Sequence, residues 1–282
     1  MTVINNDSVR GLFVWDDVAN SEEEITSLVT FCKVKEINVV YASLYSHLLV
    51  KKDFVAVQNL LNSLHSNGIK VHALFGNSDY GSKKQWVVEN VGEAVVQYNS
   101  VSSDKIDGVL LDAEYWSGSA GHHTQADAIG MMDLIRALKI KTGTPVGFSP
   151  PYWFADPKNN QALDVVYDGH TMKEGQHMIY VADYVVVQDY FSDPQKQIEH
   201  FNPWFDFAVS TGRNVGLVLA SEVSEPSKLA HAYSYNRLQV GDEAHMQSSL
   251  ASVSQFYTMK HGADRVWWGC AIEQYRSYRQ MK

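Results

Sequence analysis

Eight short apolar runs are spaced along the chain, at 11–15, 37–44, 70–76, 106–114, 145–150, 184–190, 214–220 and 265–272. Most are rich in Val, Leu and Ile without a strict alternation of polar and apolar positions. A strand covered on both faces reads this way, because neither side has to meet water. Between the runs lie segments with helical spacing. "SEEEITSLVTFCKVK" opens on Ser21 with Glu24 three residues later, the signature of a capped helix start. Phe54, Val57, Leu60, Leu61 and Leu64 share one face of the next segment, which stops at Gly68. Segments starting at Gln85, Thr124, Gln195 and Met246 repeat the scheme, and four of the helices end in a Gly just before the next strand. Strand and helix alternating eight times predict a single (β/α)8 barrel, a TIM barrel, spanning residues 1–282 as one domain. An open doubly wound sheet is the competing fold. Against it, no strand leads into a G-x-G-x-x-G loop.

Two connections are longer than a plain barrel needs, from about 150 to 180 and from 222 to about 246. Both follow strands, so both are expected at the face of the barrel where the strands end and where such folds carry their chemistry.

Composition narrows the function classes. The formal net charge is −9 and no Lys/Arg cluster is present, which argues against a nucleic-acid partner. Seven Trp, 15 Tyr and 11 Phe make the chain rich in rings that serve either core packing or the CH-rich faces of sugars. Two cysteines, Cys32 and Cys270, are too few for a disulfide framework or a zinc cluster and read as buried thiols. His122 and His123 are adjacent and point different ways, so no metal is expected, and no cofactor. No stretch reaches the roughly 18 apolar residues of a membrane span, so no membrane partner is expected. "MTVINNDSVR" has no apolar run, so the chain is expected in the cytoplasm, or outside the cell if a leader has been removed.

The fourth run ends unusually. "KIDGVLLDAEYW" begins apolar and closes on Asp112 and Glu114, two residues apart. Residues at that spacing on a strand point the same way. Inward in a barrel mouth, the two carboxylates repel, and one should hold its proton near neutral pH. A protonated carboxyl beside a sugar linkage is a general acid. The plain alternative is a pair of strand-end charges bonded to loops.

"DGVLLDAEY", residues 107–115, resembles the fourth-strand signature D-G-x-D-x-D-x-E of glycoside hydrolase family 18, the chitinases and endo-β-N-acetylglucosaminidases. Asp107 matches the first Asp, Asp112 the third and Glu114 the catalytic acid, with Tyr115 following as in the endoglycosidase branch; Leu110 replaces the second Asp. "QDYF" at 188–191 is similar in part to the sixth-strand M-x-Y-D: Tyr190 matches, Gln188 and Phe191 depart. "LFGNSDYGS" stands where the family has S-x-G-G. The resemblance implies hydrolysis of an N-acetylhexosamine-containing oligosaccharide or polysaccharide by substrate-assisted, retaining catalysis. Glu114 would be acid/base, Asp112 would steady the 2-acetamido group and Tyr190 would bond its oxygen. A Trp near the end of strand eight, Trp267 or Trp268, would floor the sugar subsite.

Other residues are weighed for substrate contact. Glu222 follows strand seven and would make an acid/base–nucleophile pair with Glu114 in a different retaining scheme, although Ala113 stands where such enzymes carry Asn. Glu273 lies just past strand eight and reads better as an exposed charge at a helix start. Asp16 and Asp17 follow strand one beside Trp15, to bind hydroxyls or to cap the next helix. Trp116, Gln188 and the stiff "SPPYWF" turn, with Tyr152 and Trp153, complete the expected sugar-lining set. Ser43 and Ser149 lack a G-x-S-x-G elbow, so serine hydrolase chemistry has little support. The remaining alternative is a carbohydrate-binding barrel that has lost catalysis, favoured by Leu110, Gln188 and Phe191.

Overall fold

The computed structural model describes residues 8–117, 123–225 and 234–282; His122, weighed above, lies outside them. The strands are β1 (Val9–Val14), β2 (Val39–Ser43), β3 (Lys70–Phe75), β4 (Gly108–Leu111), β5 (Val146–Phe148), β6 (Asp164–Tyr167), β7 (His170–Lys173), β8 (Tyr184–Gln188), β9 (Gly216–Glu222) and β10 (Trp267–Glu273). The helices are α1 (Glu22–Val34), α2 (Phe54–His65), α3 (Lys84–Val87), α4 (Glu93–Val101), α5 (Gln125–Thr142), α6 (Glu174–Val181), α7 (Pro194–Thr211), α8 (Asp242–Thr258), α9 (Ala263–Val266) and α10 (Tyr275–Tyr278). All strands but β6 and β7 close into a parallel barrel in the order β1-β10-β9-β8-β5-β4-β3-β2. The chain is a (β/α)8 barrel, as the alternation of apolar runs and helical segments predicts.

Local chemistry sets the element ends. The Ser21 side chain accepts from the Glu24 amide at 3.2 Å and starts α1. Gly143 and Gly212 end α5 and α7 at φ 67°, a backbone that a Cβ disfavours. The 150–180 connection, longer than a plain barrel needs, holds two short strands of its own. β6 and β7 form an antiparallel hairpin around Asp168 (φ 50°) and Gly169 (φ 77°). Asp-Gly between two short strands is the sequence signal for that turn.

The barrel interior explains much of the sequence. Its N-terminal half holds four rings: Tyr41 and His72 meet at 5.7 Å, His72 and Tyr184 at 5.1 Å, and Tyr184 stacks on Trp268 at 5.9 Å. Each ring occupies space left by an inward glycine. A Cβ on Gly11 would lie 2.8 Å from Tyr41, on Gly108 2.9 Å from His72, on Gly147 2.2 Å from Tyr184 and on Gly216 2.1 Å from Trp268. Tyr184 donates to the Val109 carbonyl (2.9 Å) and lies 2.7 Å from His72 Nδ1, so Nδ1 carries the proton of that contact. Burial lowers the His72 pKa to about 4, so the ring is neutral.

This plug corrects two expectations. Trp268 is part of it, beside the first residue of β9, and does not floor a sugar site at the mouth. Trp267 faces outward, stacked on Tyr257 at 4.9 Å and edge-on to Phe201 at 5.6 Å. The physical reason is the register shift between Trp267 and Gly269, which turns the start of β10 so that Trp268 points inward together with Ala271. Gly216→Ala is therefore expected to destabilise the fold by about 2 kcal/mol, a drop of roughly 5 °C in Tm by thermal denaturation. An unchanged Tm would mean that the plug has room to spare.

Above the rings lies an apolar layer that includes Phe13, Leu74, Leu110, Val186, Ala220 and Ala271. Side chains alternate along each strand, so the next inward positions above four of these are Asp112, Gln188, Glu222 and Glu273. The interior thus changes from apolar to acidic within one step of the strand.

Candidate active site

Four carboxylates from three parts of the barrel meet at its mouth. Asp112 and Glu114 follow β4; Glu222 ends β9; Glu273 ends β10 and is paired in register with Glu222. Among the described residues none of the four takes part in an ion pair, and Asp112, Glu222 and Glu273 are held by neutral donors. Asp112 is buried and accepts from Gln188 Nε2 at 2.7 Å, while the same amide reaches the Ser149 carbonyl and hydroxyl at 3.2 Å. Glu273 accepts from the Trp15 indole N–H at 3.2 Å and from the Tyr190 hydroxyl. Glu222 accepts from its own following amides, Val223 at 2.7 Å and Ser224 at 2.5 Å.

The electrostatics follow from that geometry. Burial, then the charges of Glu273 and Glu114, push the Asp112 carboxyl well above the usual carboxylate range, against the pull of the Gln188 and Ser149 bonds. Burial and the neighbouring Glu222 charge raise Glu273 to about 7, opposed by its Tyr190 and Trp15 bonds. Burial raises Glu222 as well. The mouth therefore retains protons near neutral pH. The linkage sign is that of raised acids: Glu273 ionises near 4.5 in the unfolded chain and near 7 in the folded one. Its contribution to stability is present below pH 4.5 and is lost as pH rises through 7. Tyr190→Phe removes a donor that favours the ionised form, so the Glu273 midpoint should rise above 7. A carboxyl 13C NMR titration checks this, and a midpoint that stays put or falls would contradict the assignment.

The sequence-predicted residues separate into two groups. Asp112, Glu114, Tyr190, Gln188, Glu222, Glu273 and Trp15 come together at the mouth. Glu273 is corrected in the process: it is a half-buried inward residue of the last strand, not an exposed helix-start charge, because the alternation that buries Ala271 also turns Glu273 inward. Asp16 points the other way from Trp15 and pairs with Arg276 at 2.9 Å, in a cleft with Val18, Glu23 and Tyr275 outside the mouth. Asp17 pairs with His47 at 2.5 Å and Lys51 at 3.1 Å. The α1 cap is Ser21, while Asp17 stands at the N-cap position of a short 3-10 turn, Val18–Asn20, without a side-chain capping bond. Trp116 packs on Phe154 (5.0 Å) and Tyr115 (5.5 Å); Trp153 packs on Phe154 (4.7 Å) and His123 (5.4 Å); Tyr152 stacks on His200 (4.1 Å). All three are half-buried rim rings held by other aromatics.

A buried network anchors the chain just past Glu114. Glu174, wholly buried, accepts from the Tyr115 hydroxyl (2.7 Å) and the Leu163 amide (3.0 Å) and contacts His123 Nε2 (2.8 Å). Tyr115 is pinned under the rim, and its neighbour Glu114 is left at the mouth. Asp107, the first Asp of the fourth-strand signature, sits at the far end of the barrel. There it accepts from the Val71 amide (2.7 Å) and meets His65 (2.9 Å).

No protein-family model matches the sequence, and no curated protein sequence matches it. Solved structures do match in fold. A glycoside hydrolase family 18 chitinase from Pseudoalteromonas aurantia superposes with a TM-score of 0.56 at 14% identity, covering 96% of this chain and 95% of that one. An endo-1,4-beta-mannanase from Rhizomucor miehei gives 0.57 at 11% identity, covering 95% and 86%. A chitinase from Chromobacterium violaceum gives 0.50 at 13%, covering 77% and 68%. These structural neighbours are glycoside hydrolases built on the same barrel. Among the described residues no helix is long and apolar enough to cross a membrane.

Proposed function

We propose that the protein is a glycoside hydrolase acting on an N-acetylhexosamine-containing glycan, with Glu114 as acid/base. The observation that carries the reading is the arrangement after β4. Asp112 and Glu114 follow an inward apolar residue, Leu110, on the same parity, and burial together with the nearby Glu273 and Glu114 charges raises the Asp112 carboxyl well above the usual carboxylate range. A proton held among carboxylates in a dry mouth is what protonating a glycosidic oxygen needs. In the proposed reaction the proton held within the carboxylate cluster passes to Glu114 and leaves Asp112 ionised; Glu114 gives that proton to the leaving oxygen, and the C–O bond to the leaving sugar breaks. The 2-acetamido oxygen of the same substrate closes on the anomeric carbon. Asp112 accepts from the acetamido N–H as positive charge develops there, and Tyr190 turns its hydroxyl from Glu273 to the acetamido oxygen. Glu114, now ionised, takes a proton from water as that water opens the intermediate, so configuration is retained.

A second reading pairs Glu114 with Glu222 as acid/base and nucleophile. The inward position of Glu222 beside Glu273 favours it. Its backbone bonds engage one carboxylate oxygen, Oε1. One comparison separates the readings: cleavage of aryl β-glycosides that carry either a 2-acetamido or a 2-hydroxyl group. Participation by the acetamido group predicts cleavage of the first alone. Equal cleavage of both would transfer the role of nucleophile to a carboxylate. Glycan binding without cleavage of either would support the inactive, sugar-binding barrel.

A further inference from the structure

Beside the carboxylates, the ends of β1, β2 and β3 enclose a hollow of about 330 Å³. Its walls are the rings of Trp15, Tyr45, Tyr80 and Trp86, with Ser43 and Asn77 as neutral polar groups. Leu74 also lines it, and Leu74 is a fully buried residue of the barrel's apolar layer. The hollow therefore descends into the mouth and does not lie on the outer wall of helices.

Trp15 joins this hollow to the acidic site. Its indole N–H donates to Glu273, while its six-membered ring lies against Gly76. A Cβ at Gly76 would come within 3.0 Å of Trp15 Cη2 and 2.9 Å of the Asp112 carbonyl. A glycine is thus needed for the indole to lie between the hollow and the end of β4. A ligand filling the hollow would touch the same ring that holds Glu273.

The lining selects the chemistry of the occupant. Aromatic residues, Phe75 among them, and two neutral polar side chains, with no charged side chain in the lining, suit a molecule with an apolar CH face and a hydroxyl rim. Tyr45 is 40% and Trp86 42% exposed, so two large rings are left to water at the opening. Exposed apolar surface gathered around a concavity marks a binding site more often than scattered surface residues do. Tyr80, by contrast, is buried and fixed, its hydroxyl pushed up to about 12 by burial and by its neighbours Tyr45 and Asp79.

We propose that this hollow is a subsite for a neutral pyranose unit of the glycan, next to the unit held at the carboxylates, so that the protein acts on chains of several sugars. The inference rests on the glycosidase reading above. It commits to an uncharged unit and places the extended part of the chain over β1 to β3.

The test measures affinity by calorimetry for the N-acetylglucosamine series from disaccharide to hexasaccharide and for the matching mannose series, together with cleavage. Wild-type protein should bind the longer members of one series at least about tenfold more tightly than its disaccharide. Trp86→Ala should lose about tenfold for the longer members, and Tyr45→Ala should do likewise. Both side chains are well exposed, so the variants are expected to keep the wild-type Tm. Variants that retain the full length preference would overturn the subsite while leaving Glu114-dependent cleavage intact. Length-dependent binding that needs Trp86, with cleavage that does not need Glu114, would uphold the subsite and sink the catalytic reading. Failure of the wild type to bind any member of either series would overturn both.

Discussion

Replacing Glu114 with Gln is expected to lower kcat about 10³-fold and to leave binding of N-acetylglucosamine oligomers nearly unchanged. The amide keeps the shape of the side chain but carries no proton that can be given to a leaving oxygen. The other mouth acids are poorly placed to substitute. Asp112 is fastened to Gln188, Glu273 to Trp15 and Tyr190, and Glu222 to its own backbone. Asp112 should also change in the variant. One of the charges that raises it is removed, so its carboxyl should titrate at lower pH than in the wild type. Steady-state kinetics beside calorimetry gives the first result, and an unchanged kcat would remove Glu114 from the chemistry.

Leu110→Asp is expected to destabilise the protein by about 4 kcal/mol, lowering Tm by roughly 10 °C. The substitution would place an acid where the signature that residues 107–115 resemble carries one. In this chain the position is fully buried in the apolar interior layer, with Phe13, Tyr41, Leu74, Val186 and Ala271 in the same cluster. A carboxyl there either loses its proton into a medium that does not solvate the charge or stays neutral without an assured partner. With Leu110 in that layer, the acidic part of the interior begins at Asp112. Thermal denaturation at neutral pH checks the size of the loss. A variant as stable as the wild type would show that this layer admits water or a partner for the acid.

The barrel was legible because its strands are buried on both faces and its helices are amphipathic, and both patterns are local. The pairing of Asp112 with Glu114 was legible for the same reason, since two-residue spacing on a strand needs no knowledge of distant chain. What the sequence hid depends on contacts between elements. Glu273 looked like an exposed charge because the tryptophan run before it gives no hint of the register shift that sets which residues of β10 point inward. Trp268 looked available to a sugar because its glycine counterpart, Gly216, lies 52 residues earlier on another strand. Gln188 read as a departure from a motif, and the structure makes it the donor that holds Asp112. The Asp168–Gly169 turn is the exception, a hairpin whose signal is local.

The most direct measurement is a crystal structure of the Glu114→Gln variant soaked with an N-acetylglucosamine oligomer. One sugar should bind with its acetamido nitrogen within hydrogen-bond distance of Asp112 and with the side chain at position 114 beside the glycosidic oxygen. A sugar bound with its acetamido group in solvent and its anomeric carbon facing Glu222 would contradict it.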